Sequence, residues 1–120
     1  MELQSTKNDS EILDLMIEYC ESIQSDCEVI DNEIEDFLAN EIIQRSCSFS
    51  LIQIGELSKR LSDETKDKDR TINWRKIAGL RDVIVHRYER VDFEELWDTI
   101  INDIPVLKKS LIKVKNELKR

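Results

Sequence analysis

Two glycines and one proline in 120 residues leave this chain few places to reverse direction tightly. Sandwiches and barrels need turn residues about every 8–12 positions, so a β architecture is a poor match. Disorder is excluded as well, because 40% of the residues are hydrophobic. Abundant Leu, Ile, Glu, Lys and Asp point to packed helices, so the expected fold class is all-α, an antiparallel helical bundle with short connections. The length suits one domain with its own core, read as a single helical unit over residues 1–120. No repeat, low-complexity stretch or linker divides it.

The apolar pattern places the elements. From about Asp9 to Ile30, the residues Ile12, Met16, Tyr19, Ile23, Cys27 and Ile30 recur at three- and four-residue spacing, one stripe of a long helix. Asp31-Asn32 interrupts it, and Ile34, Phe37 and Leu38 suggest a short helical turn. Between Glu41 and Leu61 there are two apolar sets. Ile43, Cys47, Leu51, Ile54 and Leu61 make a stripe, while Ile42, Phe49 and Ile52 lie off it, as in a central or interface helix. Ser62–Arg70 is almost wholly polar and reads as an exposed loop. Asn73 can cap a helix from Trp74 with Ile77, Leu80 and Ile84 inward. Asp92 with Glu95 resembles a capping box, flanked by Val91 and Leu96 as a hydrophobic staple. The helix after it is expected to bury Leu96, Trp97, Ile100 and Ile101. Pro105 should break or kink it before a last helix lined by Leu107, Leu111, Val114 and Leu118.

The formal charge of −8 disfavours a nucleic-acid partner only until it is divided along the chain. Residues 1–56 carry two basic and fourteen acidic side chains, a net of −12, and residues 57–120 carry sixteen and twelve, a net of +4. A polyanion could therefore dock on the C-terminal half. Lys108, Lys109, Lys113 and Lys115 are either a guiding surface or a solvated face. The three cysteines are odd in number and lack C-x-x-C spacing. Cys20 and Cys27 sit two helical turns apart, about 10 Å, too far for a disulfide. They read as small buried side chains in a reducing cytosol. With no signal-like or membrane-length apolar run, a cytoplasmic protein without membrane association is expected.

Chemistry concentrates in Arg81-Asp82-Val83-Ile84-Val85-His86-Arg87-Tyr88, which holds the sole histidine. Arg81 and Tyr88 are seven apart and Asp82 and His86 four apart. A helix through Tyr88 would group cations, a phenol, a carboxylate and an imidazole around one end. Attack of a ribose 2′-hydroxyl on its own phosphate needs a base near neutral pKa, a cation on the phosphoryl oxygens and an acid for the leaving oxygen. Histidine suits the first or third role and arginine the second. One imidazole per chain implies a second copy or substrate assistance. No zinc set, carboxylate metal spacing, phosphate-binding glycine loop or nucleophile triad accompanies it, so neither metal nor cofactor is expected. Arg87 and Arg90 flank the motif as candidate substrate contacts. Trp74 and Trp97 read as packing anchors, and Gly55 and Gly79 as points of close helix approach.

Arg81, His86 and Tyr88 match the R-x-x-x-x-H-x-Y motif, and the chain resembles HEPN-domain ribonuclease toxins of the HepT type. Ile54-Gly55-Glu56, Leu61-Ser62, Trp74–Leu80, Val91-Asp92, Leu96-Trp97 and Asp103-Ile104-Pro105 extend the likeness over about Asp9 to Leu118. The resemblance implies a HEPN-like bundle forming a homodimer with a composite site between two motifs. It implies the toxin of a type II/VII-like toxin–antitoxin system, a metal-independent endoribonuclease leaving a 2′,3′-cyclic phosphate. By motif position, Arg81 would stabilise the phosphate and His86 act as general acid or base. Asp82, where many relatives carry asparagine, would orient the site or raise the His86 pKa. The implied partner is a cognate minimal nucleotidyltransferase antitoxin that adenylylates Tyr88. The alternative is a non-catalytic HEPN-like adaptor that binds a nucleotidyltransferase or nucleotide; an intact Arg81 and His86 count against it.

Overall fold

A computed structural model describes residues 8–118, apart from the side chains of Arg87 and Tyr88. Among the described residues every regular element is helical. In chain order these are α1 (Asp9–Val29), α2 (Ile34–Ala39), α3 (Glu41–Ser58), α4 (Asp63–Lys66) and α5 (Trp74–Arg87). A 3₁₀ turn (Tyr88–Arg90), α6 (Phe93–Asp98), a π-helical turn (Thr99–Asp103) and α7 (Ile104–Leu118) follow.

Short polar side chains mark the helix starts. Asn8 caps α1 by accepting from the Glu11 amide at 2.8 Å, and Asn40 caps α3 from the Ile43 amide at 3.0 Å. The first long helix stops at Asp31 and Asn32, whose φ values of 52° and 56° lie in the left-handed region that Asp and Asn tolerate best among side-chain-bearing residues. Asp92 accepts from the Glu94 and Glu95 amides at 3.0 and 3.2 Å, which bears out the cap expected there.

Three expectations are corrected. Ser62–Arg70 is not simply an exposed loop. It contains α4, capped by Ser62, and buries Thr65 and Asp69. The hydroxyls of Ser62 and Thr65 both donate to the Asp9 carboxylate at 2.5 Å, so a polar segment packs with its donors satisfied. Burial raises the Asp9 pKa most, but the Ser62 and Thr65 hydroxyls, the Ser62 amide and the Lys66 charge together outweigh it and hold the carboxyl below its ordinary value. Of the break or kink expected at Pro105, the break does not occur. The five-residue π turn lies just before α7, and the Ile104 amide reaches back to the Thr99 carbonyl, so the chain passes the missing proline donor within a continuous helical run. The wider turn also leaves Ile101 40% exposed, although Leu96, Trp97 and Ile100 are buried as expected.

α3 packs between α1 and α5, and α7 covers the other side of α1. Cross-helix contacts fix the directions: Ser46 bonds to Asp26 at 2.6 Å, while Lys108 meets Glu21 at 3.5 Å and Lys115 pairs with Asp14. Thus α3 and α7 both run antiparallel to α1. Their shared core contains Met16, Ile23, Leu51, Ile54, Ile104 and Leu111, all at or near zero exposure. The Phe37 ring joins α2 to α6, 4.9 Å from that of Trp97. Trp74 is also an anchor, its indole N–H donating to the Lys66 and Asp69 carbonyls at 3.1 and 3.2 Å. The α7 lysines divide: Lys108 and Lys115 are engaged by acids of α1, while Lys109 and Lys113 face solvent.

Candidate active site on helix α5

Helix α5 is set by its cap and by one glycine of α3. Asn73 accepts from the Lys76 amide at 3.0 Å, fixing the first turn. A Cβ placed on Gly55 would lie 3.1 Å from the Arg81 Cβ, the Arg81 amide nitrogen and the Ile77 carbonyl oxygen. The two backbones meet there because position 55 has no side chain. Arg81 therefore leaves α5 directly against α3. Gly79 is different: nothing lies within 4 Å of its Cβ position, so it makes no close helix contact within this chain.

The Arg81 Nε is 3.0 Å from Glu56 Oε1, and its Nη1 is 3.2 Å from Asp82 Oδ1. Lys59 Nζ lies 3.6 Å from those same Glu56 and Asp82 oxygens. Four charged groups, from α3, its C-cap Lys59 and α5, thus form a ring of alternating sign. The Arg81 hydrogen bond, followed by the Lys59 charge, holds the Asp82 carboxyl below its ordinary range. Sequence reading missed Glu56 and Lys59 as members of this cluster. Its visible trace was the Ile54-Gly55-Glu56 run, whose contact with Arg81 exists only after α3 and α5 pack.

His86 is exposed, and among the described residues it makes no hydrogen bond or ion pair. The expected pairing of Asp82 with His86 does not form, because Asp82 turns to Arg81 and Lys59. Nor do Arg81 and His86 share a face. Five residues at 3.6 per turn rotate the helix by about 140° beyond one full turn. Arg81 consequently faces α3, while His86 sits on the open side. The grouping of these residues around one helix end is corrected in a second way: α5 stops at Arg87, and Tyr88 begins the 3₁₀ turn. The side chains of Arg87 and Tyr88 lie outside the described residues. Arg90 is exposed and helps line a cavity of about 450 Å³ between α5 and α6, with Lys76, Gly79, Leu80, Val83 and Glu95.

The open face of α5 carries Val83 and Val85, 57% and 44% exposed, on either side of the turn that bears His86. On α3, Ile42 and Phe49 are also exposed while Ile52 packs partly against the core, so the second apolar set of that helix is only partly covered by the described residues. Chemically, one chain presents an anchored guanidinium and an unengaged imidazole, two of the components required for phosphodiester cleavage. Among the described residues no group of three or more His, Cys, Asp or Glu side chains is placed to hold a metal ion. No helix among them is long and apolar enough to cross a membrane.

Comparison with known proteins agrees with the motif. The family described as HepT-like, "Ribonuclease HepT-like", matches residues 16–114. "Probable ribonuclease HepT" of Thermococcus cleftensis is 37% identical over 103 residues, covering 82% of this chain and 94% of that protein. "Putative RNase TTE0752" of Caldanaerobacter subterraneus is 34% identical over 101 residues, covering 80% and 90%. No solved structure matches. The match spans α5 and the helices that hold it, and on this evidence the chain belongs to the HepT-like ribonuclease family.

Proposed function

We propose that this chain is the toxin of a type II/VII-like toxin–antitoxin system, an endoribonuclease acting through Arg81 and His86. The observation that carries the reading is an Arg81 anchored by α3 on the same helix as a His86 exposed on its outer face. His86 takes the proton of a ribose 2′-hydroxyl or gives one to the departing 5′-oxygen. The hydroxyl oxygen attacks the adjacent phosphorus, the bond to the 5′-oxygen breaks, and a 2′,3′-cyclic phosphate remains. Arg81 stabilises charge on the phosphoryl oxygens. The attacking group belongs to the substrate, so the reaction runs without a metal-activated water.

Two proton transfers and one imidazole per chain make the working unit a homodimer with a composite site. Exposed Val83 and Val85 beside His86 support pairing through α5, and Gly79 leaves room for a second backbone. Arg87 and Arg90 then flank the RNA. The cognate nucleotidyltransferase silences the toxin by adenylylating Tyr88, because an anionic nucleotide beside Arg81 and His86 fills the cleft and repels RNA phosphate. One domain over residues 1–120 in the cytoplasm is the corresponding organisation.

The adaptor reading has one observation in its favour: two carboxylates already engage Arg81. Incubating purified protein with RNA in a chelator separates the two. Cleavage to cyclic-phosphate ends that is lost in His86→Ala supports the toxin, while a folded wild type that neither cleaves nor arrests growth sinks it. Mass spectrometry after co-expression with the neighbouring nucleotidyltransferase should find adenylyl mass on Tyr88, absent from Tyr88→Phe.

A further inference from the structure

We infer that Lys59 and Arg81 form a two-cation seat for an RNA phosphate, filled by the Asp82 carboxylate in the free chain and kept in register by Glu56. The inference rests on the ribonuclease reading and adds to it Glu56 of α3 and Lys59, which caps the end of that helix. Glu56 takes the Nε edge of Arg81 at 3.0 Å, which orients the guanidinium and leaves its Nη side for a ligand. On that side stands a single oxygen, Asp82 Oδ1, 3.2 Å from Arg81 Nη1 and 3.6 Å from Lys59 Nζ. One anionic oxygen between a cation of α5 and the cation that caps α3 is the position a phosphoryl oxygen would take.

Charge separates the two acids by role. Glu56, Lys59, Arg81 and Asp82 sum to zero, and with Asp82 swung aside the remaining three carry one positive charge, matching one phosphodiester. The Asp82 side chain is 54% exposed and meets only Arg81 and Lys59 among the described residues, so it can leave into water. Displacing Glu56 instead would remove the group that aims Arg81. Lys59 is thus a phosphate-binding residue, Glu56 a positioning residue and Asp82 a displaceable occupant.

The test uses the full chain and a 2′-O-methyl oligoribonucleotide, which has no attacking hydroxyl, with binding followed by fluorescence anisotropy. Asp82→Asn keeps the size and removes the charge, and should tighten binding by about tenfold, the effect of one well-placed charge contact. Lys59→Gln should weaken it by about tenfold and reduce the slope of log K against log salt by about 0.7. Binding by Asp82→Asn no tighter than wild type, or a Lys59→Gln with wild-type affinity and slope, overturns the seat. With cleavable RNA, Glu56→Gln should lower kcat while KM stays nearly constant; an unchanged kcat overturns its positioning role. All three side chains are at least 38% exposed, so these variants should fold, which circular dichroism checks. If the methylated RNA binds as described but natural RNA is never cut, the seat stands and the ribonuclease reading fails. If RNA is cut while the Asp82 and Lys59 variants bind and cleave as wild type, the seat alone fails.

Discussion

Helices α7 and α5 are both rich in cations, but the bundle uses them in opposite ways. On α7, Lys108 and Lys115 lie along α1 and meet Glu21 and Asp14, tying the acidic N-terminal half to the basic C-terminal one. On α5, Arg81 turns inward to a ring of charge at α3, and His86 stands exposed beside exposed valines. The regional excess of basic residues therefore does not locate the site by itself. What distinguishes α5 is that its acid-held Arg81 shares the helix with the exposed imidazole of the sole histidine, whereas the acid-held lysines of α7 have no such neighbour.

The sharpest way to break this contrast is at His86. Replacement by alanine should reduce RNA cleavage by about 10²–10⁴-fold, the range of positioned acid–base catalysis. Its melting temperature should match wild type, since the side chain is exposed and bonded to nothing described. Next comes Gly55→Ala. The added methyl meets backbone and Arg81 Cβ at 3.1 Å, so stability should fall by about 1–3 kcal/mol in urea unfolding and cleavage should fall with it. Gly79→Ala probes the open side of α5. It should stabilise the single chain by about 0.5–1 kcal/mol, because helix propensity improves and nothing is crowded, yet weaken self-association in sedimentation.

Smaller effects are expected where α1 is laced to its neighbours. Lys108→Ala should cost about 0.2–1 kcal/mol, as for a partly exposed ion pair, while Lys109→Ala should be neutral. The acid limb of stability tests the Asp9 clasp. Its folded pKa lies below the unfolded value of about 3.9, so its contribution is complete above that value and is lost as pH falls through the folded pKa. In Asp9→Asn, thermal melts between neutral pH and pH 3 should show a shallower decline.

Much of the helical layout was legible because apolar spacing reports burial directly. Ile12, Met16, Ile23 and Cys27 are all core residues, and the caps at Asn73 and Asp92 form where short polar side chains precede apolar periodicity. The rest depends on contacts between distant segments. α4 is polar and becomes visible only when Asp9 supplies its acceptor. The stop of α5 at Arg87 carries no glycine or proline signal. For the candidate site, Arg81, Asp82 and His86 could be found from their spacing. Glu56 and Lys59 could not be given a partner before α3 and α5 met, and the same packing sends Asp82 away from His86.

Gly55 also limits how α5 can move. Backbone touches backbone at that crossing, so α5 cannot slide toward α3, and the opposite face has no comparable stop at Gly79. The spacing of α5 from α3 is thus fixed at the point where Arg81 leaves its helix. Arg81 is therefore held at the crossing, while His86, five residues further along α5, stands exposed beyond it.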